Sequence, residues 1–308
     1  MLPKIGRVRA ELCQLLNQQG GVVTAAQALS VLSRRNLETC IRRGELRRIW
    51  RGVYGSGRDT TTLRLRGLDL LAGTTVATCL HTAAAAYGFD TESDADLHVL
   101  NPGCGHLHSA PGLVVHRREG APLTAIRGRP TTTPAWTAIE VARGLRRPRA
   151  LATLDAALRS GTCSRDELAA AVELQAGRRG IRTARELLVL ASPLAESPME
   201  SEARLVMIDG GLPEPVLQYK VVDLNGRLWR VDFAWPECRV VAEYDGVDSH
   251  RSAEAFKYDR LRTASLQDLG LVVVAMVAED VRFEPWHLVS RLRTRLDYGR
   301  AAGPARAS

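Results

Sequence analysis

The sequence predicts a mixed α/β protein of several domains: a small three-helix domain with a β-wing, a middle α/β domain, and a C-terminal α/β sandwich. Three observations predict it. The chain has 308 residues, about twice the length of an ordinary domain. Its formal charge is +8, and residues 1–58 alone hold eleven basic side chains against three acids, so the excess belongs to the first segment. Residues 193–298 read, by periodicity, as helix, three strands, helix, strand and helix, which is a sandwich around a mixed sheet.

Composition excludes other classes. Hydrophobic residues make up 45% and charged residues 25%, the mix of globular protein rather than of disorder, collagen or a coiled-coil rod. The apolar run Leu271–Ala278 is too short to span a bilayer, and the start of the chain is charged and amphipathic. A cytoplasmic protein with no membrane partner is expected. The six cysteines form no Cys-x-x-Cys, which suits buried thiols in a reducing compartment. Cys104, His106 and His108, with His116 beyond, match no compact zinc spacing and lie among Gly and Pro, so a polar loop is expected there.

In residues 1–58, Ile5, Val8, Leu12, Leu15 and Leu16 give a first helix, stopped by Gly20-Gly21. Thr24 with Gln27 is a capping box for a second. Ser33 caps a third, Arg34 to Arg43, ended by Gly44. Leu46 to Tyr54 reads as a two-stranded wing turning at Arg51-Gly52. Three short helices and a wing make a winged helix-turn-helix. Its third helix is expected in the major groove of double-stranded DNA, with Arg34, Arg35, Arg42 and Arg43 facing the duplex. Arg47, Arg48 and Arg51 of the wing are expected on flanking phosphates.

Residues 59–192 are expected to form the middle scaffold. Thr78–Tyr87 reads as a helix. Leu97–Leu100, Leu113–His116 and Ile126–Gly128 read as short strands. Helices are expected from Pro134, over Pro148–Arg159, over Ser164–Gln175 with a Ser164–Glu167 capping box, and over Ile181–Leu190. No catalytic constellation stands out here. His81, His98 and His116 are expected to be satisfied or exposed rather than ligands.

In the C-terminal domain a helix is expected at Pro198–Asp209. Strands follow at Val216–Asp223, Arg227–Trp235 and Arg239–Asp245. A helix at Ser252–Leu269, a buried strand at Leu271–Val277 and a helix at Trp286–Leu296 complete it, with 299–308 a flexible tail. Asn225-Gly226 is a hairpin turn. If Pro236-Glu237 makes the next turn, Asp232 faces Val241, and Glu243 and Asp245 emerge on the same side as Asp232. Three carboxylates so close repel one another unless a cation sits among them, and Mg²⁺ or Mn²⁺ is the natural occupant. Such a site can activate water for phosphodiester hydrolysis.

Val231-Asp232, Glu243-Tyr244-Asp245-Gly246 and His250, on this order of elements, resemble the PD-(D/E)xK nucleases, nearest to the branch related to very-short-patch repair endonucleases. With Ser-Pro-Met-Glu200, Val-Asp-Phe-Ala-Trp-Pro-Glu, Asp259-Arg260 and Gly270, nearly the whole chain resembles a group of actinobacterial proteins. These join a restriction-endonuclease-like domain to an N-terminal part similar to the AbiEi type IV antitoxins. The resemblance implies Asp232 and Glu243 as metal ligands, with Glu200 as the helix acid and a further candidate ligand and His250 as a phosphate contact or general acid/base; Asp245 joins the ligand set by its place on the hairpin. The lysine position of that superfamily holds Asp245. Lys220 and Lys257, which with Lys4 are the only lysines of the chain, are the candidates to replace it, Lys220 foremost. Two functions are thus expected: a metal-dependent DNA endonuclease, or a non-catalytic antitoxin and transcriptional repressor whose nuclease-like domain binds a partner such as a cognate toxin.

Overall fold

The computed structural model describes residues 3–92, 94–103, 107–246 and 253–301. His250, Cys104 and His106 lie outside the described residues. The chain divides into two compact units, one of Met1–Ala86 and Glu92–Thr133, the other of Tyr87–Thr91 and Pro134–Ser308.

The first unit opens with α1 (Pro3–Gln18), β1 (Val22–Thr24), α2 (Ala25–Val31), α3 (Arg34–Arg42), β2 (Arg47–Trp50) and β3 (Val53–Gly55). The caps act locally. The Thr24 hydroxyl accepts from the Gln27 amide while the Gln27 side chain accepts from the Thr24 amide, and the Ser33 hydroxyl accepts from Asn36. Gly52 at φ 78° makes the two-residue turn between β2 and β3. The sheet order is β1-β3-β2, antiparallel throughout. Leu12, Leu16, Leu37, Cys40 and Leu46 close a core beneath the three helices.

The unit continues with α4 (Thr61–Ala72), α5 (Leu80–Tyr87), β4 (Leu97–Leu100), β5 (Leu113–His116), β6 (Leu123–Ile126) and β7 (Arg129–Thr132). Helix α4 was not anticipated from periodicity. Thr60 caps it, and Leu63, Leu65 and Leu68 are buried. Strands β4 and β5 pair in parallel. The expected strand Ile126–Gly128 is corrected: β6 ends at Ile126, and Arg127 (φ 50°) and Gly128 (φ 81°) are the turn of a hairpin with β7. Positive φ at both central residues is what the strand twist demands of a two-residue turn.

The second unit begins with a helical layer, α6 (Pro134–Ala142), α7 (Arg147–Arg159), α8 (Arg165–Leu174) and α9 (Ile181–Leu190). It then runs α10 (Pro198–Asp209), β8 (Val216–Val222), β9 (Leu228–Trp235), β10 (Val240–Tyr244), α11 (Ala253–Asp268), β11 (Val272–Met276), α12 (Ala278–Arg282) and α13 (Pro285–Ala301). The sheet order is β11-β10-β9-β8, with β10 parallel to β11 and the other pairs antiparallel. One apolar core joins Met207, Phe233, Val240, Met276 and Leu292; another joins Trp229, Val231, Val241 and Leu266. Helix α13 continues to Ala301, past the expected end at Leu296 and into the expected tail. Among the described residues no helix is long and apolar enough to cross a membrane.

The β9–β10 hairpin departs from the expected register. Val240 pairs with Trp235 and Ala242 with Phe233, which sets Glu243, not Val241, opposite Asp232. Pro236–Cys238 forms one 3-10 turn and Arg239 takes φ 55°, so the loop holds four residues instead of two. Proline lacks the N–H that a tight ladder would use. The slip is even-numbered, so the expected faces survive it.

Candidate functional site

Glu200, Asp232, Glu243 and Asp245 line one cleft of the second unit, about 320 Å³ in volume, with Tyr244, Asp259, Arg262 and Thr263. They arrive from three elements, each for a local reason. Glu200 sits in the first turn of α10, where its amide donates to the Ser197 hydroxyl at 3.1 Å. Its carboxylate accepts from the Glu196 amide at 2.8 Å. Asp232 comes from β9, where the ladder to β10 stops, and its Oδ2 takes the Tyr244 amide at 2.9 Å. Glu243 and Asp245 follow from β10, and the Asp245 amide donates to the Met276 carbonyl at 2.8 Å.

Two residues that sequence reasoning missed hold this group together. The Gln218 amide donates to Glu200 at 3.1 Å and to Asp232 at 3.5 Å. It reaches both because Gln218 has φ 50°, a left-handed conformation in mid-strand, and its pair with Asp232 is missing from the β8–β9 ladder. Apolar packing changes side there as well: Leu217 and Phe233 join the core under α10, while Tyr219 and Val231 join the one under α11. The Arg262 guanidinium, from α11, donates to Glu243 at 2.5 Å and to the Arg230 carbonyl at 2.6 Å. Neither was legible, because each depends on how separate elements dock.

Burial dominates the electrostatics. It raises Glu243 from the ordinary carboxylate value to about 7, with Asp232, Asp259 and Asp245 adding repulsion and Arg262 opposing them. Burial likewise raises Asp232, against the Tyr244 amide and Arg262, and raises Glu200, with Asp232 nearby. Carboxylate oxygens in such surroundings are the donors a hard dication takes. As they stand, however, Arg262 takes up the positive place beside Glu243. Among the described residues no three His, Cys, Asp or Glu side chains are spaced to hold an ion. The donor chemistry suits Mg²⁺ or Mn²⁺; the arrangement does not, unless Arg262 withdraws.

Lys220 lies on β8 opposite Arg230, exposed, and does not line the cleft; Lys257 is exposed on α11. Among the described residues the cation hydrogen-bonded within this group is instead Arg262, on Glu243.

In the first unit, Arg34, Arg35, Arg42, Arg43, Arg47, Arg48 and Arg51 are all exposed. Arg34 and Arg35 open α3, Arg42 ends it and Arg43 caps it, and the three wing arginines follow on β2 and its turn. None pairs with a carboxylate among the described residues; Arg42 donates only to the Thr39 hydroxyl, at 3.2 Å. Seven uncompensated guanidinium groups on so short a segment suit a polyanion. His98 and His116 prove to satisfy each other, at 2.9 Å between Nδ1 and Nε2, with Asp94 2.8 Å from the other His98 nitrogen.

The segment matched by a known family holds neither the arginines of residues 34–51 nor the cleft. Residues 76–190 match the AbiEi antitoxin C-terminal domain, a segment that ends before α10 and the cleft. The chain is similar to two proteins of Mycobacterium tuberculosis, uncharacterized protein MT2308 of strain CDC 1551 / Oshkosh and uncharacterized protein Rv2248 of strain H37Rv. With each it is 51% identical over 272 residues, covering 88% of this chain and 100% of the relative.

Proposed function

Since the chain belongs to the family of MT2308 and Rv2248, and its residues 76–190 match the AbiEi antitoxin C-terminal domain, we propose that it is a DNA-binding regulator of the antitoxin type. The observation that carries this is the row of exposed arginines on α3 and the β2–β3 wing, without carboxylate partners among the described residues. Residues 1–58 act as the winged helix-turn-helix: α3 enters the major groove of double-stranded DNA and the wing arginines hold phosphates. The matched middle segment receives a protein partner, a cognate toxin. Binding of the full chain to duplex DNA should weaken with salt, with a slope of about −0.9 per phosphate neutralised. Replacing Arg34, Arg35, Arg42 and Arg43 by Ala should flatten that slope. A slope that the replacements leave unchanged would remove the assignment.

A second reading is favoured by one observation, the convergence of Glu200, Asp232, Glu243 and Asp245 in a single cleft. Here the same protein cleaves DNA in a reaction dependent on Mg²⁺ or Mn²⁺, and Arg262 must leave Glu243 for it to proceed. Supercoiled plasmid incubated with the full chain and Mn²⁺ tests this. Nicking that disappears in Asp232→Ala and Glu243→Ala supports it; no nicking, or nicking that survives both, rejects it and leaves the regulator.

A further inference from the structure

Three carboxylates of the cleft already meet N–H donors of the chain itself. Glu200 Oε2 accepts from the Glu196 amide at 2.8 Å and from the Gln218 side chain at 3.1 Å. Asp232 has both oxygens engaged, Oδ1 by Gln218 at 3.5 Å and Oδ2 by the Tyr244 amide at 2.9 Å. Glu243 Oε1 accepts from Arg262, the glutamate being 17% exposed and the arginine 23%.

These donors come from separate elements: Gln218 from β8, Tyr244 from β10 and Arg262 from α11. A hard dication needs several oxygen lone pairs aimed at one point. Among the described residues no such trio forms, because each carboxylate follows its own donor.

Two features set Gln218 and Arg262 apart from incidental contacts. Gln218 holds φ 50° in mid-strand, and a non-glycine residue persists in that conformation only where its surroundings fix it. The bridge from Glu200 to Asp232 is what this conformation achieves. The Nε of Arg262 is buried with no hydrogen-bond partner among the described residues, a loss that buried donors ordinarily avoid. Its charge offsets that loss, since Asp232, Glu243, Asp245 and Asp259 line the same cleft. Arg262 also donates to the Arg230 carbonyl at 2.6 Å, so it is fastened to β9 as well as to β10. A guanidinium does not give up its proton in proteins, so alkaline pH does not release it.

We infer that Arg262 and Gln218 are the cleft's own counter-ion and bridge, standing where a dication would, so that the chain takes up neither Mg²⁺ nor Mn²⁺ and loss of these two side chains turns the cleft into a site for either. The inference deepens the regulator reading, on which it rests for a second unit that does no chemistry. In that role the acids tie α10, β8, β9, β10 and α11 together around the cleft.

The test reads metal uptake rather than cleavage. Free Mn²⁺ is followed by its electron paramagnetic resonance as the full chain is added. The parent should leave the signal unchanged at millimolar Mn²⁺. Arg262→Ala combined with Gln218→Ala should bind Mn²⁺ about tenfold or more tighter than the parent, because no fixed positive charge opposes the ion. Adding Asp232→Asn should abolish that uptake. Mn²⁺ uptake or plasmid nicking by the parent that depends on Asp232 overturns the inference. So does a folded double variant that stays blind to Mn²⁺, or one whose uptake survives Asp232→Asn. If the double variant does not fold in metal-free buffer, its circular dichroism with Mn²⁺ decides: a recovered fold upholds the inference and persistent unfolding overturns it. Uptake by the double variant without nicking upholds the inference and counts against the nuclease alone. Failure here leaves the regulator reading to the salt slope, which depends on the arginines of residues 34–51.

Discussion

Replacing Glu243 by Gln should stabilise the protein at alkaline pH, although it deletes a charge paired with Arg262. The folded-state pKa is raised from the ordinary 4.5 to about 7, chiefly by burial. A raised carboxylate pKa means that the protonated form is favoured by the fold. The stability is therefore fully present below about pH 4.5, falls as pH rises, and is lost once pH passes about 7. A shift of this size corresponds to about 3 kcal/mol, since each unit is worth ~1.4 kcal/mol. Glutamine copies the protonated side chain and carries no such cost. Urea unfolding followed through Trp229 and Trp235, which lie in the sheet of this unit, gives the comparison. At pH 8 Glu243→Gln should be more stable than the parent by up to about 3 kcal/mol, and at pH 5 by less than about 1 kcal/mol. A variant that is less stable at pH 8, or whose advantage is the same at both pH values, would show that Arg262 and not burial governs the group.

Two further outcomes concern the helical layer. Asp155 and Arg204 form a 2.7 Å ion pair in which both side chains are almost wholly buried. Asp155→Ala should cost about 3–5 kcal/mol by stranding Arg204, and a further Arg204→Met should recover much of that in thermal or urea unfolding; equal loss in the double variant would refute the pairing argument. Gly180 has φ 80°, and a Cβ there would stand 1.9 Å from the Arg143 carbonyl oxygen. Gly180→Ala should therefore destabilise by about 3 kcal/mol, and a calorimetric melt unchanged from the parent would contradict the geometry.

Local rules made much of the fold legible. Thr24, Ser33, Ser164 and Ser197 start the helices where their capping chemistry places them, and Gly52 and Gly226 turn the strands. Helices α9 and α10 begin and end where periodicity set them. What escaped was set by packing between distant segments. Helix α4 has too even a distribution of apolar residues to show a face, and the β9–β10 register turned on Arg239 adopting a left-handed conformation. Asp232, Glu243 and Asp245 could be read together because strand alternation fixes which side each one takes, whereas Glu200, on a helix, came only from the resemblance. Arg262 and Gln218 could not, since one depends on the phase of α11 and the other on a backbone conformation that glutamine seldom adopts.

The partition of the chain carries a practical consequence. Tyr87–Thr91 belongs to the second unit while the residues on either side of it belong to the first. Phe89 is 1% exposed, and the hydroxyls of Thr91 and Thr153 lie 2.8 Å apart. The polypeptide thus passes from one unit to the other three times, at residues 86–87, 91–92 and 133–134. A protease cut near residue 133 would leave the fragments tethered through that five-residue excursion, and a deletion series that removes the N-terminal half would strip Phe89 from the interior of what remains. Any attempt to assign an activity to one half by truncation would report this lost anchor before it reported the missing domain.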